Sequence, residues 1–96
     1  MSTWHEITCV TRTSHADPAL QITHVGGPNP KGRGWRLTLD EAIEGMLSGR
    51  WAFFVMKGPQ RLNLIVAVSH QGYRYIKSEN DNSVPETLLK LPDCGF

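Results

Sequence analysis

Residues 37–56 read LTLDEAIEGMLSGRWAFFVM and decide the fold, because they contain a helix with both ends marked and an apolar strand directly after it. Thr38 and Glu41 have capping-box spacing, in which the threonine hydroxyl accepts a hydrogen bond from the third helical amide and the glutamate accepts one from the threonine amide. Gly49 is the type of residue that commonly ends a helix in a left-handed conformation. The pattern predicts a helix near residues 39–48 that packs on a sheet, since an isolated helix of about three turns is marginal. The apolar residues on its buried side are Leu39, Ala42, Ile43, Met46 and Leu47.

Five strands are predicted around this helix. Two precede it, at residues 4–13 and 20–25, and three follow it, at residues 51–57, 62–69 and 73–78. Residues 26–34, GGPNPKGRG, contain four glycines and two prolines and therefore predict a loop without regular structure. A short helical turn that begins at Pro85 and stops at Pro92 completes the chain.

The order β-β-α-β-β-β predicts one α+β domain over residues 1–96, with a mainly antiparallel sheet of about five strands, one main helix and a short C-terminal helical turn. Residues 62–69, LNLIVAVS, are apolar on both faces, which predicts a strand covered on both sides or curled into a barrel. The turns at Gly58 and Gly72 arrange the last three strands as an antiparallel meander. The docking position of the first hairpin stays open. The expected core residues, held together without metal or disulfide, are Ile43, Met46, Phe53, Val55, Leu64 and Val66.

The composition is that of an ordinary globular protein, with 40% apolar and 20% charged residues. The N-terminal residues lack the basic and apolar regions of a secretory signal. The longest apolar run, residues 51–56, is far shorter than the ~20 residues that a membrane helix needs. These features predict a cytoplasmic protein without membrane association. In that compartment Cys9 and Cys94 are expected to be free thiols, with a bridge between them as the weaker alternative.

Four segments resemble those of a known family. They are THVGG at residues 23–27, WRLTLDEAI at 35–43, the Gly49-Arg50-Trp51 junction with the strand after it, and LLKLPDC at 88–94. Together they are similar to a family of short bacterial stand-alone proteins that is catalogued only as a domain of unknown function. The resemblance covers nearly the whole chain through packing and turn positions. It implies a bacterial stand-alone domain and supplies no catalytic residues.

No arrangement of residues in the sequence indicates catalysis. His5 and Cys9 share a strand face, but about 13 Å separates them, which is too far for one metal ion. Residues 27–32 have the spacing of a phosphate-binding loop but lack the Lys-Ser/Thr pair that must follow. Ser69 and His70 are neighbours on a strand and so point to opposite faces. We therefore expect no metal, no cofactor and no enzymatic activity, and a small enzyme with an unrecognised site is the least favoured alternative.

Basic residues interleaved with aromatic ones form the best candidate binding surface. One group lies in or beside the glycine-rich loop and the other on the last strand. The residues are Lys31, Arg33, Trp35 and Arg36 in the first group, and Tyr73, Tyr75 and Lys77 in the second. Such surfaces bind single-stranded nucleic acid by stacking and phosphate contacts, whereas aromatic residues also anchor protein interfaces.

The net charge of +1 is too small to favour a polyanion, so a protein partner is preferred over nucleic acid. The sequence therefore predicts a non-catalytic binding or protein-interaction module. Nucleic-acid or other polyanion binding through residues 31–36 and 73–77 is the alternative. The oligomeric state stays open, and a homo-oligomer is among the alternatives.

Overall fold

The computed structural model of the 96-residue chain describes residues 3–29 and 32–95. Within these ranges there are seven strands in two sheets, one main helix and one short helix. The predicted α+β fold is confirmed, with more strands than the five expected. The strands are β1 (Thr3–Glu6), β2 (Cys9–Arg12), β3 (Ile22–Asn29), β4 (Gly32–Thr38), β5 (Trp51–Lys57), β6 (Gln60–Val68) and β7 (Arg74–Ser78). The helices are α1 (Leu39–Leu47) and α2 (Glu86–Leu89), and a short 3-10 helix, Pro18–Leu20, lies between β2 and β3.

The larger sheet has the strand order β1-β5-β6-β7, in which β1 is parallel to β5 and the other neighbours are antiparallel. The smaller sheet has the order β2-β3-β4 and is antiparallel throughout. A single apolar cluster contains residues from both sheets and both helices. Of the expected core residues, Ile43, Phe53, Val55 and Leu64 are at most 5% exposed, while Met46 and Val66 are partly buried against them.

The main helix follows its local sequence signals. The Thr38 amide donates to Glu41 Oε1 over 2.9 Å, and the Glu41 amide donates to Thr38 Oγ1 over 3.1 Å, so the capping box is present. Gly49 follows the helix with a φ of 77°. Leu47 was expected to be buried, but at the last residue of the helix it is 53% exposed. None of the helices in the described ranges is long and apolar enough to cross a membrane.

The strand predicted at residues 4–13 is wrong in one respect, because the chain changes sheets in its middle. The Ile7 amide donates to Phe54 O in the larger sheet, and the next amide, that of Thr8, donates to Gly26 O in the smaller sheet; both distances are 2.9 Å. Ile7 itself is fully buried. This corner divides the predicted strand into β1 and β2 and joins the two sheets through consecutive residues.

The irregular loop predicted at residues 26–34 is also wrong, because its described residues belong to the hairpin of β3 and β4. The glycines allow close packing here. A Cβ atom at Gly27 would overlap Glu6 O and lie 2.8 Å from the Trp35 ring. A Cβ atom at Gly26 would lie 2.7 Å from Trp35 O and about as close to the sulfur of Cys9, at 3.0 Å. Glycine composition therefore reflects contacts between strands, not a break in them.

Coverage of β6 on both faces was predicted and is wrong. Leu62 and Leu64 on the core-facing side are 7% and 5% exposed, whereas Ile65 on the other side is 38% exposed. The core lies against one face of the larger sheet, and the sheet is open and not closed into a barrel. The other face of β6 is therefore open to solvent at Ile65.

Cys9 and Cys94 form a disulfide, so the expectations of free thiols and of a core without a disulfide are wrong. The C-terminal segment runs parallel to β2 and pairs with it at Val10 and Asp93. The Val10 amide donates to Pro92 O over 3.0 Å, and the Cys94 amide donates to Val10 O over 3.1 Å. This path places the Cα atoms of the two cysteines 4.8 Å apart, within the range that a disulfide requires.

Candidate interaction surface

An apolar and aromatic surface lies on the side of the larger sheet that faces away from the core. Its exposed apolar members are Trp4 at 48%, Met56 at 39% and Ile65 at 38%. We name this the outer-sheet surface and define it by Trp4, Phe54, Met56, Arg61 and Ile65. Trp4 belongs to β1, Phe54 and Met56 belong to β5, and Arg61 and Ile65 belong to β6. These three strands are neighbours in the sheet.

Strand alternation explains which side chains reach this surface. His5 contacts the core ring of Phe53 with centroids 6.1 Å apart, so its neighbours Trp4 and Glu6 point away from the core. Phe53 is 1% exposed, and by the same alternation Phe54 lies on the outer side. The rings of Trp4 and Phe54 contact each other with centroids 6.4 Å apart. The outer-sheet surface thus has an aromatic pair at its centre.

Arg61 lies over this aromatic pair. Its Cζ atom is 4.0 Å from the Phe54 ring centroid and 4.6 Å from the Trp4 ring centroid, which is cation–π geometry. Its Nε atom donates to Asn63 Oδ1 over 3.3 Å. No described carboxylate lies within 4.0 Å of the guanidinium. The guanidinium therefore has donors left for a bidentate bond to a carboxylate from outside the chain.

The first group of predicted contact residues lies on the β3–β4 hairpin. Lys31 lies outside the described residues, and only the backbone of Arg33 is described. Trp35 is half-buried, with its ring centroid 5.8 Å from that of Phe53 and 6.0 Å from that of His5. Arg36 is exposed and lies opposite Gly26 in the hairpin. Trp35 therefore packs into the space between the two sheets.

The second predicted group lies on and before β7, in the other sheet. Tyr73 is 56% exposed, but Tyr75 is only 4% exposed and its hydroxyl donates to Ser83 O over 3.1 Å. The Lys77 ammonium donates to the main-chain oxygens of Asp81 and Asn82 over 3.0 and 2.9 Å. Because β4 and β7 belong to different sheets, the two groups do not lie on neighbouring strands. Their role in binding stays a prediction.

The sequence patterns did not predict the outer-sheet surface, although one of them indicates part of it. Two adjacent phenylalanines, Phe53 and Phe54, in a short strand must point to opposite faces. One of them therefore has to lie away from the core unless both faces are covered. The pairing of β1 with β5, which brings Trp4 beside Phe54, has no local signal.

Other features of the described residues offer less chemistry. A cavity of about 470 Å³ lies between the 3-10 helix and the end of β6, and its lining includes Pro18, Val68, His70 and Lys77. Within residues 3–29 and 32–95, no group of three or more histidine, cysteine or acidic residues is placed to hold a metal ion.

Comparisons with known proteins agree with the resemblance seen in the sequence. No curated protein matches the chain, and no solved structure matches it. A family model described as "Protein of unknown function (DUF3892)" matches residues 6–92, which is most of the chain. That match includes the corner, the main helix and every strand except most of β1. The chain therefore belongs to the DUF3892 family of proteins of unknown function.

Proposed function

We propose that this protein is a non-catalytic protein-interaction module that binds its partner through the outer-sheet surface. The observation that carries this proposal is Trp4, which is 48% exposed and lies with Phe54 beneath the guanidinium of Arg61. Tryptophan, tyrosine and arginine are the residues most enriched among those that dominate the free energy of protein association. Methionine is likewise enriched in interfaces, and Met56 lies on the same surface.

The surface also indicates the chemistry of the partner. Met56 and Ile65 offer aliphatic contacts beside the aromatic pair, so the partner has to supply apolar side chains. No carboxylate of the described residues forms an ion pair with Arg61, so the partner has to supply an acidic group near the centre of the contact. The proposed partner is thus a protein surface with a carboxylate surrounded by apolar side chains.

Nucleic acid is less well supported as the ligand. The residues that define the outer-sheet surface include one cation, Arg61, whereas polyanion sites neutralise several phosphates at once. Of the residues predicted to contact nucleic acid, Tyr75 is buried and Lys77 already donates to two main-chain oxygens. These contacts reduce what both residues offer to bases or phosphates.

The experiment is an affinity capture from a lysate of the producing cells with nuclease present, followed by binding of the purified captured protein. We expect Ile65→Glu to lose the partner, because a buried unpaired carboxylate in an apolar contact is costly. Leu47→Glu is the matched control, since Leu47 is 53% exposed but lies at the end of α1 away from this surface. Equal binding by Ile65→Glu and wild type, with both variants melting normally, would remove the outer-sheet surface from the proposal. Steep weakening of binding with salt would point to a polyanion instead.

We also propose a cytoplasmic location, and the redox state of the two cysteines in cells tests it. Disulfides persist in oxidising compartments and are rare in the cytosol. Rapid alkylation of thiols in living cells, followed by mass analysis, reports whether Cys9 and Cys94 are bridged there. Alkylation of both residues supports a reducing compartment, and protection of both contradicts it.

A further inference from the structure

We infer that Cys9 and Cys94 form a thiol–disulfide exchange site, which the disulfide and dithiol compounds of the cell close and open in the folded protein. The inference rests on the cytoplasmic location proposed above. Disulfides that do occur in the cytosol are mostly transient and serve catalysis or redox sensing, so a bridge in that compartment is expected to cycle. The position of the bridge and the contacts that remain without it both support cycling.

The bridge lies on the side of the smaller sheet that faces away from the core. Val10 is fully buried in the core, so strand alternation places the neighbouring side chain of Cys9 on the opposite side of β2. Both sulfurs lie over Gly26 of β3, where a Cβ atom would be 3.0 Å from Cys9 Sγ and 3.1 Å from Cys94 Sγ. The core cluster that contains Val10 also contains residues of both helices, so α1 and α2 pack on the side of the sheet away from the bridge.

This position lets an attacking thiolate reach the bridge while the sheets stay folded. Cys94 is half-buried, and both of its neighbours, Asp93 and Gly95, are exposed. Cys9 is also half-buried, but it belongs to β2, which is paired with β3 at this residue. Cys94 is therefore the more accessible end of the bridge, and its Sγ atom is the one that a reductant attacks.

Exchange with a dithiol takes place in two displacements. The thiolate of the reductant attacks Cys94 Sγ, the bond between the two cysteine sulfurs breaks, and Cys9 leaves as a thiolate that takes a proton from water. The second thiolate of the reductant then attacks the sulfur that the reductant contributed, which releases Cys94 as a thiol and closes the disulfide of the reductant. Two electrons pass from the dithiol to the bridge, and a disulfide oxidant such as oxidised glutathione reverses the reaction with release of two thiols.

The contacts around the bridge keep the two thiols together after reduction. The Val10 amide donates to Pro92 O over 3.0 Å and the Cys94 amide donates to Val10 O over 3.1 Å, and neither bond involves a sulfur. The Arg12 guanidinium holds the same segment through a hydrogen bond of 2.8 Å to Leu89 O. The thiols therefore stay at a high effective concentration, and the bridge re-forms without a search by the unfolded chain. The chain has two cysteines, so no other pairing within it competes.

Oxidation at this site is expected to stabilise the fold while its main-chain contacts stay the same. Because the bridge joins residues 85 positions apart, it lowers the population of the unfolded chain by a factor on the order of 10³. A change of this size in the unfolded fraction alters how long a protein survives proteases in the cell. The exchange site therefore makes the lifetime of the protein depend on the redox state of its compartment.

Reduction kinetics of the purified oxidised protein test whether the site reacts in the folded state. Samples are incubated with dithiothreitol from about 1 to about 50 mM, quenched with an alkylating agent and analysed by mass. We expect the rate to rise in proportion to dithiothreitol and to change less than about twofold when urea is added well below the unfolding midpoint. A rate that levels off as dithiothreitol is raised, or that increases steeply with urea, would show that the bridge opens only after unfolding and would refute the inference.

Amide hydrogen exchange of the reduced protein tests whether the thiols stay together. The Cys94 amide should remain protected, because its hydrogen bond to Val10 O does not depend on the bridge. Cys9→Ser is the matched control and should show the same protection, since it lacks the bridge permanently. Loss of protection at Cys94 in both proteins, with the amides of β6 still protected, means that the C-terminal segment detaches and overturns the inference.

Alkylation in living cells separates the exchange site from the location on which it rests. We expect both cysteines to be alkylated in untreated cells, protected within minutes of adding the thiol oxidant diamide, and alkylated again after its removal. Alkylation throughout, including after diamide, leaves the cytoplasmic location standing and refutes the exchange site. Protection both before and after treatment contradicts the location and refutes cycling in the cell.

Discussion

Removal of the disulfide between Cys9 and Cys94 should have the largest effect on stability of any single change considered. The two cysteines are 85 residues apart in sequence. In the chain-entropy description, closing a loop of this length lowers the entropy of the unfolded chain by an amount worth about 4–5 kcal/mol at 25 °C. Small domains are stable by only about 5–15 kcal/mol, so the bridge accounts for a large share of the total.

The native contacts around the bridge should survive its loss. The C-terminal segment still has its two main-chain hydrogen bonds to Val10, and the Arg12 guanidinium still donates to the main-chain oxygens of Leu89 and Leu91. We therefore expect the reduced protein to keep its fold while its free energy of unfolding falls by the amount above.

Urea denaturation of the oxidised wild type, the reduced wild type and Cys94→Ser measures this effect. Reduced wild type and Cys94→Ser should share one lower midpoint, and reductant should leave the variant unchanged. A shift of less than about 1 kcal/mol between oxidised and reduced wild type, with reduction verified by thiol titration, would refute the chain-entropy reasoning. Mass spectrometry showing two free thiols after air oxidation would refute the bridge itself.

Four further predictions concern packing, capping and the effect of pH. Thr38→Ala should lower the free energy of unfolding by about 1 kcal/mol in denaturant titrations, because it removes the helix cap. The hydrogen bond from the Thr38 amide lowers the pKa of Glu41 below its ordinary value of 4.5, so the ionised carboxylate stabilises the folded protein above that pH. Glu41→Gln should therefore melt at a lower temperature than the wild type at neutral pH. The difference between the two melting temperatures should vanish as the pH falls below 4.5. Trp35→Ala should lower the free energy of unfolding by about 2 kcal/mol, which is more than Trp4→Ala should, because Trp4 is exposed. Equal losses for the two variants in urea denaturation would contradict the packing of Trp35 between the sheets. Gly45→Ala should lower the melting temperature, because overlap of its methyl group with the Trp51 ring outweighs the gain of about 1 kcal/mol in helix propensity; a rise would contradict this.

The helix and the strand after it could be predicted from the sequence because their signals are local. Thr38, Glu41 and Gly49 lie within a few residues of the helix ends that they specify, and β5 was expected at the residues where it is found. Capping and turn residues act on neighbouring main-chain groups, so no knowledge of the tertiary structure is needed.

The β3–β4 hairpin could not be predicted because its sequence reflects contacts with distant residues. Gly26 and Gly27 are required by the Cys9 sulfur and Glu6 O, which approach from other strands, and by Trp35, which lies opposite Gly27 in the hairpin. In the sequence alone, the same glycines are typical of a loop. The disulfide was missed for a related reason, since only the path of the last residues beside β2 brings Cys94 near Cys9.

The candidate site depended most on long-range order. Trp35 was expected at a binding surface, but the meeting of the two sheets makes it half-buried. Trp4 and Arg61 gain their contact only because β1 joins the sheet beside β5 in parallel, across a sequence separation that includes the whole smaller sheet and the helix. No pattern within either strand specifies that neighbour.

The corner at Ile7 and Thr8 makes this position unusually sensitive to insertions and deletions. Consecutive amides there bond to different sheets, so no spare residue is available to absorb a change of length. One added residue would shift β1 or β2 by one position and exchange its inward and outward side chains, as any one-residue slip of a strand does. Val10 would leave the core, or Trp4 would enter it. The turn at Gly58 and Pro59, which is exposed and joins adjacent strands of one sheet, should accept added residues far more readily.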